Sequence, residues 1–181
     1  YDADGAPAGN EFVVVEPSYS PSKPSITGLN DGGFVATWTT GSSSQGDGSD
    51  YSVYGQRFDA SGEKAGDAFQ INTETYNNQE DPSIASLQDG GFVVTWESRY
   101  QDHVDSNGNA QSSYGIYGQR FNADASTDGN EFQVNTYTNN DQYNPSVTDL
   151  AGGGFVVTWE SSGQDGSGYG IYGQRFNADG T

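Results

Sequence analysis

Pro82-Ser83-Ile84-Ala85-Ser86-Leu87-Gln88-Asp89-Gly90-Gly91-Phe92-Val93-Val94-Thr95-Trp96, followed after a loop by Tyr117-Gly118-Gln119-Arg120-Phe121, decides the fold because it occurs three times. Residues 24–38 and 145–159 repeat the first block, and residues 54–58 and 172–176 repeat the second. Self-similarity at a fixed spacing is the mark of a repeat architecture. It divides the 181-residue chain into one repeat domain of three copies, at residues 1–58, 59–121 and 122–181.

Each copy reads as strands. An Asp-Gly or Gly-Gly turn between two apolar runs, as at Gln88-Asp89-Gly90-Gly91, is a hairpin signal. A third strand follows over residues 116–121 and a fourth over 132–135, with 12–15 and 69–72 as the other fourth strands. No segment holds a helical period, so the chain is expected to be all-β, with about twelve short strands in antiparallel meanders. Phe155, Val157 and Trp159 share one face of strand two, and Val156 and Thr158 the other. Both faces are largely apolar, where a sheet with one wet face would alternate. That pattern favours three four-stranded repeats stacked as β-propeller-type blades, with a β-trefoil as the alternative. The chain begins and ends just after a third strand, so residues 12–15 are expected to complete the last unit. Three blades are fewer than the usual four or more. Further repeats in a longer parent chain, or a homo-oligomer of two three-blade halves, are therefore expected.

Composition narrows the class. The chain carries 25 acids against six bases, a formal net charge of −19. Such a surface repels nucleic acid and anionic membranes and suits divalent cations. Cys and Met are both absent, so thiol chemistry is excluded, and the missing initiator is expected of a piece of something longer. With a single histidine, His103, and no nucleophile elbow, neither a hydrolase triad nor a zinc site is expected. No carboxylate pair stands out among the 25 acids, so the chain is read as no enzyme.

The run Gly-Gly-Phe-Val-Val-Thr-Trp-Glu at 153–160, Gln164-Asp165-Gly166-Ser167-Gly168, and Ile171-Tyr172-Gly173-Gln174-Arg175-Phe176 resembles tandem repeats of large extracellular bacterial proteins of the RTX and adhesin kind. It is also similar to blade repeats of bacterial β-propeller-like proteins. The resemblance implies a secreted or cell-surface location, a calcium-rich setting and no enzymatic activity. The nonapeptide Gly-Gly-x-Gly-x-Asp of RTX calcium rolls is absent, so it assigns no calcium ligand.

Function is expected on the loops after strands two and four, which emerge together on one face and vary between copies. After strand two the acids and amides Asp47 and Asp50, Asp102, Asp105, Asn107 and Asn109, and Asp165 form candidate Ca²⁺ ligands. Calcium takes six to eight oxygens at loose geometry. Asp105-x-Asn107-x-Asn109 resembles the start of an EF-hand loop but has Ala110 where Gly belongs and Ile116 where Glu belongs. The bland alternative is a solvated polar loop. After strand four, Tyr76, Asn77 and Gln79 in the second copy and Asn140, Gln142 and Tyr143 in the third combine amides with aromatic faces, a kit for sugar hydroxyls. Here the bland alternative is that the amides satisfy loop backbone. The tryptophans are read as core anchors. Arg57, Arg120 and Arg175 are read as structural, with Glu97 and Glu160 as candidate partners. Together these features suggest an extracellular adhesion or lectin-like module that binds a glycan or another surface ligand. A self-associating spacer, or an accessory domain of a polysaccharide-degrading enzyme, is the alternative.

Overall fold

The computed structural model describes residues 4–5, 9–16, 20–41, 51–101 and 113–181. Over these residues the chain is all β, with eleven strands in three antiparallel sheets. Sheet 1 holds β1 (Pro21–Gly28), β2 (Phe34–Thr40), β3 (Ser52–Phe58) and β4 (Phe69–Gln70). Sheet 2 holds β5 (Gln79–Ser86), β6 (Phe92–Arg99), β7 (Tyr114–Phe121) and β8 (Thr127–Gln133). Sheet 3 holds β9 (Gln142–Asp149), β10 (Phe155–Ser162) and β11 (Tyr169–Phe176). Strand order follows chain order in every sheet, so each repeat is a meander. Two sheets have the four strands expected of a repeat; the third has three among the described residues. Among those residues no closed ring forms, and no helix is long and apolar enough to cross a membrane.

The hairpins form where the Asp-Gly signal places them. In sheet 2 the Leu87 N–H donates to the Gly91 carbonyl at 2.8 Å, and Asp89 Oδ1 accepts the Gly91 N–H at 3.0 Å. Gly90 has φ +94°, a conformation that costs an L side chain strain. Gly91 is required by proximity, since a Cβ there would land on the Phe121 carbonyl oxygen. Gly33 and Gly154 stand the same way against Phe58 and Phe176.

The core lies between sheets. Val35 and Val53 of sheet 1, with Leu29 just past β1 and Ile71 just past β4, meet Ile84, Phe92, Val94 and Trp96 of sheet 2. Val93 and Ile116 of sheet 2, with Val134 just past β8, meet Val147, Phe155, Val157 and Trp159 of sheet 3. Strand β6 therefore buries both faces, Phe92, Val94 and Trp96 toward sheet 1 and Val93 toward sheet 3. This is the physical content of its unbroken apolar run. All three tryptophans are buried, as anchors should be. A phenylalanine from the strand-four segment caps each junction: Phe69 against Phe92 and Phe121, and Phe132 against Phe155 and Phe176. Residues 12–15 form no ladder among the described residues, but Phe12 takes the same position on Phe34 and Phe58.

Arg57 and Arg120 brace turns within their sheets, and their partners are not Glu97 and Glu160. Arg57 pairs with Asp31, and Arg120 with Asp89 at 3.0 Å and Asp128 at 2.9 Å. The first acid in each case belongs to the β1–β2 or β5–β6 turn, which register places beside the end of the third strand. In the third copy that turn position is Gly152, and Arg175 lies exposed.

Candidate functional site

Each sheet begins with a break in its ladder. Register shifts fall at Lys23-Pro24, at Asp81-Pro82 and opposite Thr158 and Glu160 at Asn144-Pro145. Proline cannot donate to a ladder, which confines it to such bulges or to edges. Lys23, Asp81 and Asn144 are all at positive φ, 52°, 54° and 55°. With the three prolines they surround an open cavity of about 240 Å³ where the first strands converge. Lys23 Nζ lies 3.1 Å from Asp81 Oδ1 across it, and that pairing raises the Lys23 pKa.

The bulges also join the sheets. The Asp81 N–H donates to Thr39 Oγ1 at 3.1 Å, and the Asn144 N–H donates to Glu97 Oε1 at 2.6 Å. Thr39 and Glu97 are equivalent residues, one past the tryptophan. Glu97 is buried, and burial pushes its carboxyl up to about 8; the Asn144 N–H opposes this, while Asp81 and Glu80 add to it. Its carboxyl is protonated at neutral pH and held between two sheets.

Beside this joint runs a continuous aromatic array. Tyr76 meets Tyr100 edge-on at 6.1 Å, and Tyr114 meets Tyr143 at 5.2 Å. The Arg99 guanidinium links the pairs, 5.0 Å from the Tyr100 ring and 5.8 Å from Tyr114. The Tyr114 hydroxyl donates to Glu80 Oε1 at 2.9 Å, and its N–H to Asp141 Oδ1 at 3.0 Å. Burial, then Glu80, pushes the Tyr114 phenol up to about 12. Burial and the Asp141 carboxylate likewise hold the Tyr143 phenol above its usual range. Tyr76 and Tyr169 are exposed at the two ends. The array draws on the end of β6, the start of β7, the start of β9 and the loop after β4, all on the face where the loops after strands two and four emerge.

The residues expected there divide. Tyr76 and Tyr143 lie in the array. Asn77 and Asn140 sit in the loops at φ 60° and 59°, a conformation asparagine tolerates. Gln79 and Gln142 are fully buried and are not open to a ligand, which corrects their assignment. Gln79 Nε2 donates to the Tyr76 carbonyl at 3.0 Å and its Oε1 accepts from Asn72 at 3.2 Å. Gln142 Nε2 donates to the Asn139 and Asn140 carbonyls at 3.3 and 3.1 Å, and its Oε1 accepts from Asn135 at 3.0 Å. Asn72 and Asn135 in turn accept the N–H groups of Val53 and Ile116 at 2.8 and 2.7 Å. These amides pin the loop to the sheet, as buried polar groups must be satisfied.

Of the expected calcium ligands, Asp47, Asp50, Asp102, Asp105, Asn107 and Asn109 lie outside the described residues. Asp165 is exposed and accepts the Ser167 N–H at 3.0 Å within its turn. Among the described residues no three acids or histidines gather as a metal site. Arg99, Tyr100, Tyr114, Glu80 and Asp141 were not singled out from sequence. Tyr100 and Tyr114 are separated in sequence, and the β6–β7 pairing brings them together.

No family model matches the chain, and no curated protein is similar to it. Solved structures are similar in fold. A protein of unknown function from Dyadobacter fermentans aligns with a TM-score of 0.58 at 16% identity, over 86% of this chain and 37% of that one. An endo-arabinase from Bacteroides thetaiotaomicron aligns at 0.54 and 15%, over 94% and 61%. An α-L-arabinofuranosidase from Fusarium graminearum, solved with an iminosugar inhibitor, aligns at 0.52 and 10%, over 85% and 45%. The chain spans less than two thirds of each of these structures.

Proposed function

We propose that the chain is a non-enzymatic carbohydrate-binding module of a secreted or surface-displayed protein, built of propeller-type blades and stabilised by calcium on its acidic loops. The observation that carries this reading is the Tyr76–Tyr100–Arg99–Tyr114–Tyr143 array with Glu80 and Asp141 beside it. Flat aromatic faces stack on the apolar side of a sugar ring, and carboxylates and amides accept its hydroxyls. The likeness in fold to an endo-arabinase and an arabinofuranosidase supports a polysaccharide, with arabinan the first to try. One meander per repeat, stacked face to face, supports blades over a trefoil. The charge of −19 and the resemblance to extracellular bacterial repeats support the location. Catalysis is not proposed, because Glu97, the carboxyl held furthest from its usual range, is engaged by the Asn144 N–H between two sheets.

Affinity electrophoresis through gels containing arabinan and other polysaccharides tests the reading. Retardation that Tyr100→Ala abolishes is expected; equal mobility in every gel overturns it. Calcium is tested separately by melting the protein in millimolar Ca²⁺ and in EDTA. A ligand that binds only the folded state raises the melting temperature, and coincident melts would remove calcium from the account.

A further inference from the structure

The outermost sheets leave faces open that sheet 2 buries. Ile171 is 74% exposed, while its equivalents Val53 and Ile116 are fully buried against the next sheet. On the opposite side of the stack Ile26 is 65% exposed, while Ile84 and Val147 are 6% and 8% exposed against the preceding sheet. An apolar groove of about 400 Å³ runs over that second face, lined by Val14, Pro24, Ile26, Ala36 and Trp38. The two faces are the two halves of one junction, built twice already within the chain.

We propose that two copies of this chain assemble head to tail. The open face of sheet 3 of each copy docks on the open face of sheet 1 of the other, closing a ring of six sheets. Three positions argue for a second copy as the occupant. The first is the polar joint. Asp81 N–H meets Thr39 and Asn144 N–H meets Glu97 at the two internal junctions. Glu160 of one copy is the next acceptor in this series, and Lys23 of the other copy is the next bulge donor. Lys23 also brings one of only six basic residues beside that carboxylate.

The second is a ring cradle. Gly55 and Gly118 face the rings of Phe69 and Phe132, where an added Cβ would stand 2.9 and 2.7 Å from the ring. Gly173, their equivalent, has no ring over it among the described residues; its nearest described neighbours are Thr158 and the Val157 carbonyl at 3.3 Å. Phe12 already lies on Phe34 and Phe58, in the position from which Phe69 and Phe132 reach their glycines. The third is the ladder. Ile71 and Val134 donate their N–H groups to the Val53 and Ile116 carbonyls at 2.8 Å. Val14, two residues past Phe12, is the matching donor for Ile171 of the second copy. Residues 12–15 would thus complete sheet 3 of the partner as its fourth strand. A head-to-tail contact closes when its rotation allows, and six sheets fall within the usual four to eight of such rings. One copy offers one face of each kind, so a pair satisfies both.

Light scattering on the whole chain at about 0.15 M salt tests the proposal. The expected mass is twice the 19.2 kDa of one chain. Ile171→Asp and Ile26→Asp each place a charge in both contacts of a pair, and each is expected to return the protein to a monomer. Both sites are exposed in a single copy, so the melting temperature of the monomeric variants should stay within a few degrees of each other. Mixing the two variants leaves one wild-type contact and should restore a dimer. A wild-type monomer, a dimer broken by only one substitution, no recovery on mixing, or growth beyond two copies would each overturn the proposal.

Discussion

Replacing Glu97 by glutamine tests the joint between sheets 2 and 3. The wild-type carboxyl is buried and accepts the Asn144 N–H, and its pKa rises from 4.5 to about 8. The sign follows from linkage. A group whose folded pKa lies above its unfolded value favours the folded state fully below about 4.5 and loses that contribution as pH climbs through about 8. Between those values folding takes up a proton, so stability falls by about 1.4 kcal/mol per pH unit. From about pH 5 to about pH 9 the loss from this one group comes to about 4 kcal/mol. In Glu97→Gln the amide keeps an oxygen to accept the Asn144 N–H but has no proton to lose. The difference in unfolding free energy, Glu97→Gln minus wild type, should therefore rise with pH by about that amount. Urea unfolding followed by tryptophan fluorescence, with the buried Trp96 as a reporter, measures it at each pH. Parallel pH profiles for the two proteins, or a wild type that gains stability across the range, would refute the assignment of a protonated inter-sheet carboxyl.

Two further predictions concern the repeat itself. Gly118→Ala drives a Cβ to 2.7 Å from the Phe132 ring and should cost about 1–3 kcal/mol as overpacking, whereas Gly173→Ala, with no described residue nearer than 3.3 Å, should cost markedly less in the monomeric Ile171→Asp background. Denaturant melts of the two alanine variants check the order. Asn135→Ala leaves the buried Ile116 N–H without its acceptor and frees Gln142, and should lower stability by about 1–3 kcal/mol with no change in the turn at 88–91. Amide exchange at Ile116 should accelerate in that variant; unchanged exchange would show that the loop is held some other way.

The all-β meanders were legible because they depended on local signals that recur along the chain. The Asp-Gly turns, the two-sided apolar strand and the tryptophan at its end each appear where the sheets require them. The loop face was legible for the same reason, since variation between copies marks it. The amides were harder. Asn72 and Gln79 recur as Asn135 and Gln142, and that identity is the signal of scaffold, since each pair closes the same buried network. Glu97 was misassigned because its donor, Asn144, stands 47 residues on in another sheet. The arginine partners were missed although a sign was present. Asp31 and Asp89 occupy the turn where the third copy has Gly152, and Arg175 there lies exposed. The aromatic array could not be read from spacing, because Tyr100, Tyr114 and Tyr143 come from three strands' ends and meet only through pairing and stacking.

Hydrogen exchange of the protein with and without a retained polysaccharide tests the central claim most directly. Binding on the array predicts slowed exchange at residues 74–80, 99–101, 114–115 and 141–144, with the opposite turns at 30–33, 88–91 and 151–154 unchanged. Protection confined to those turns, or spread evenly over both faces, would contradict the placement of function on the tyrosine face.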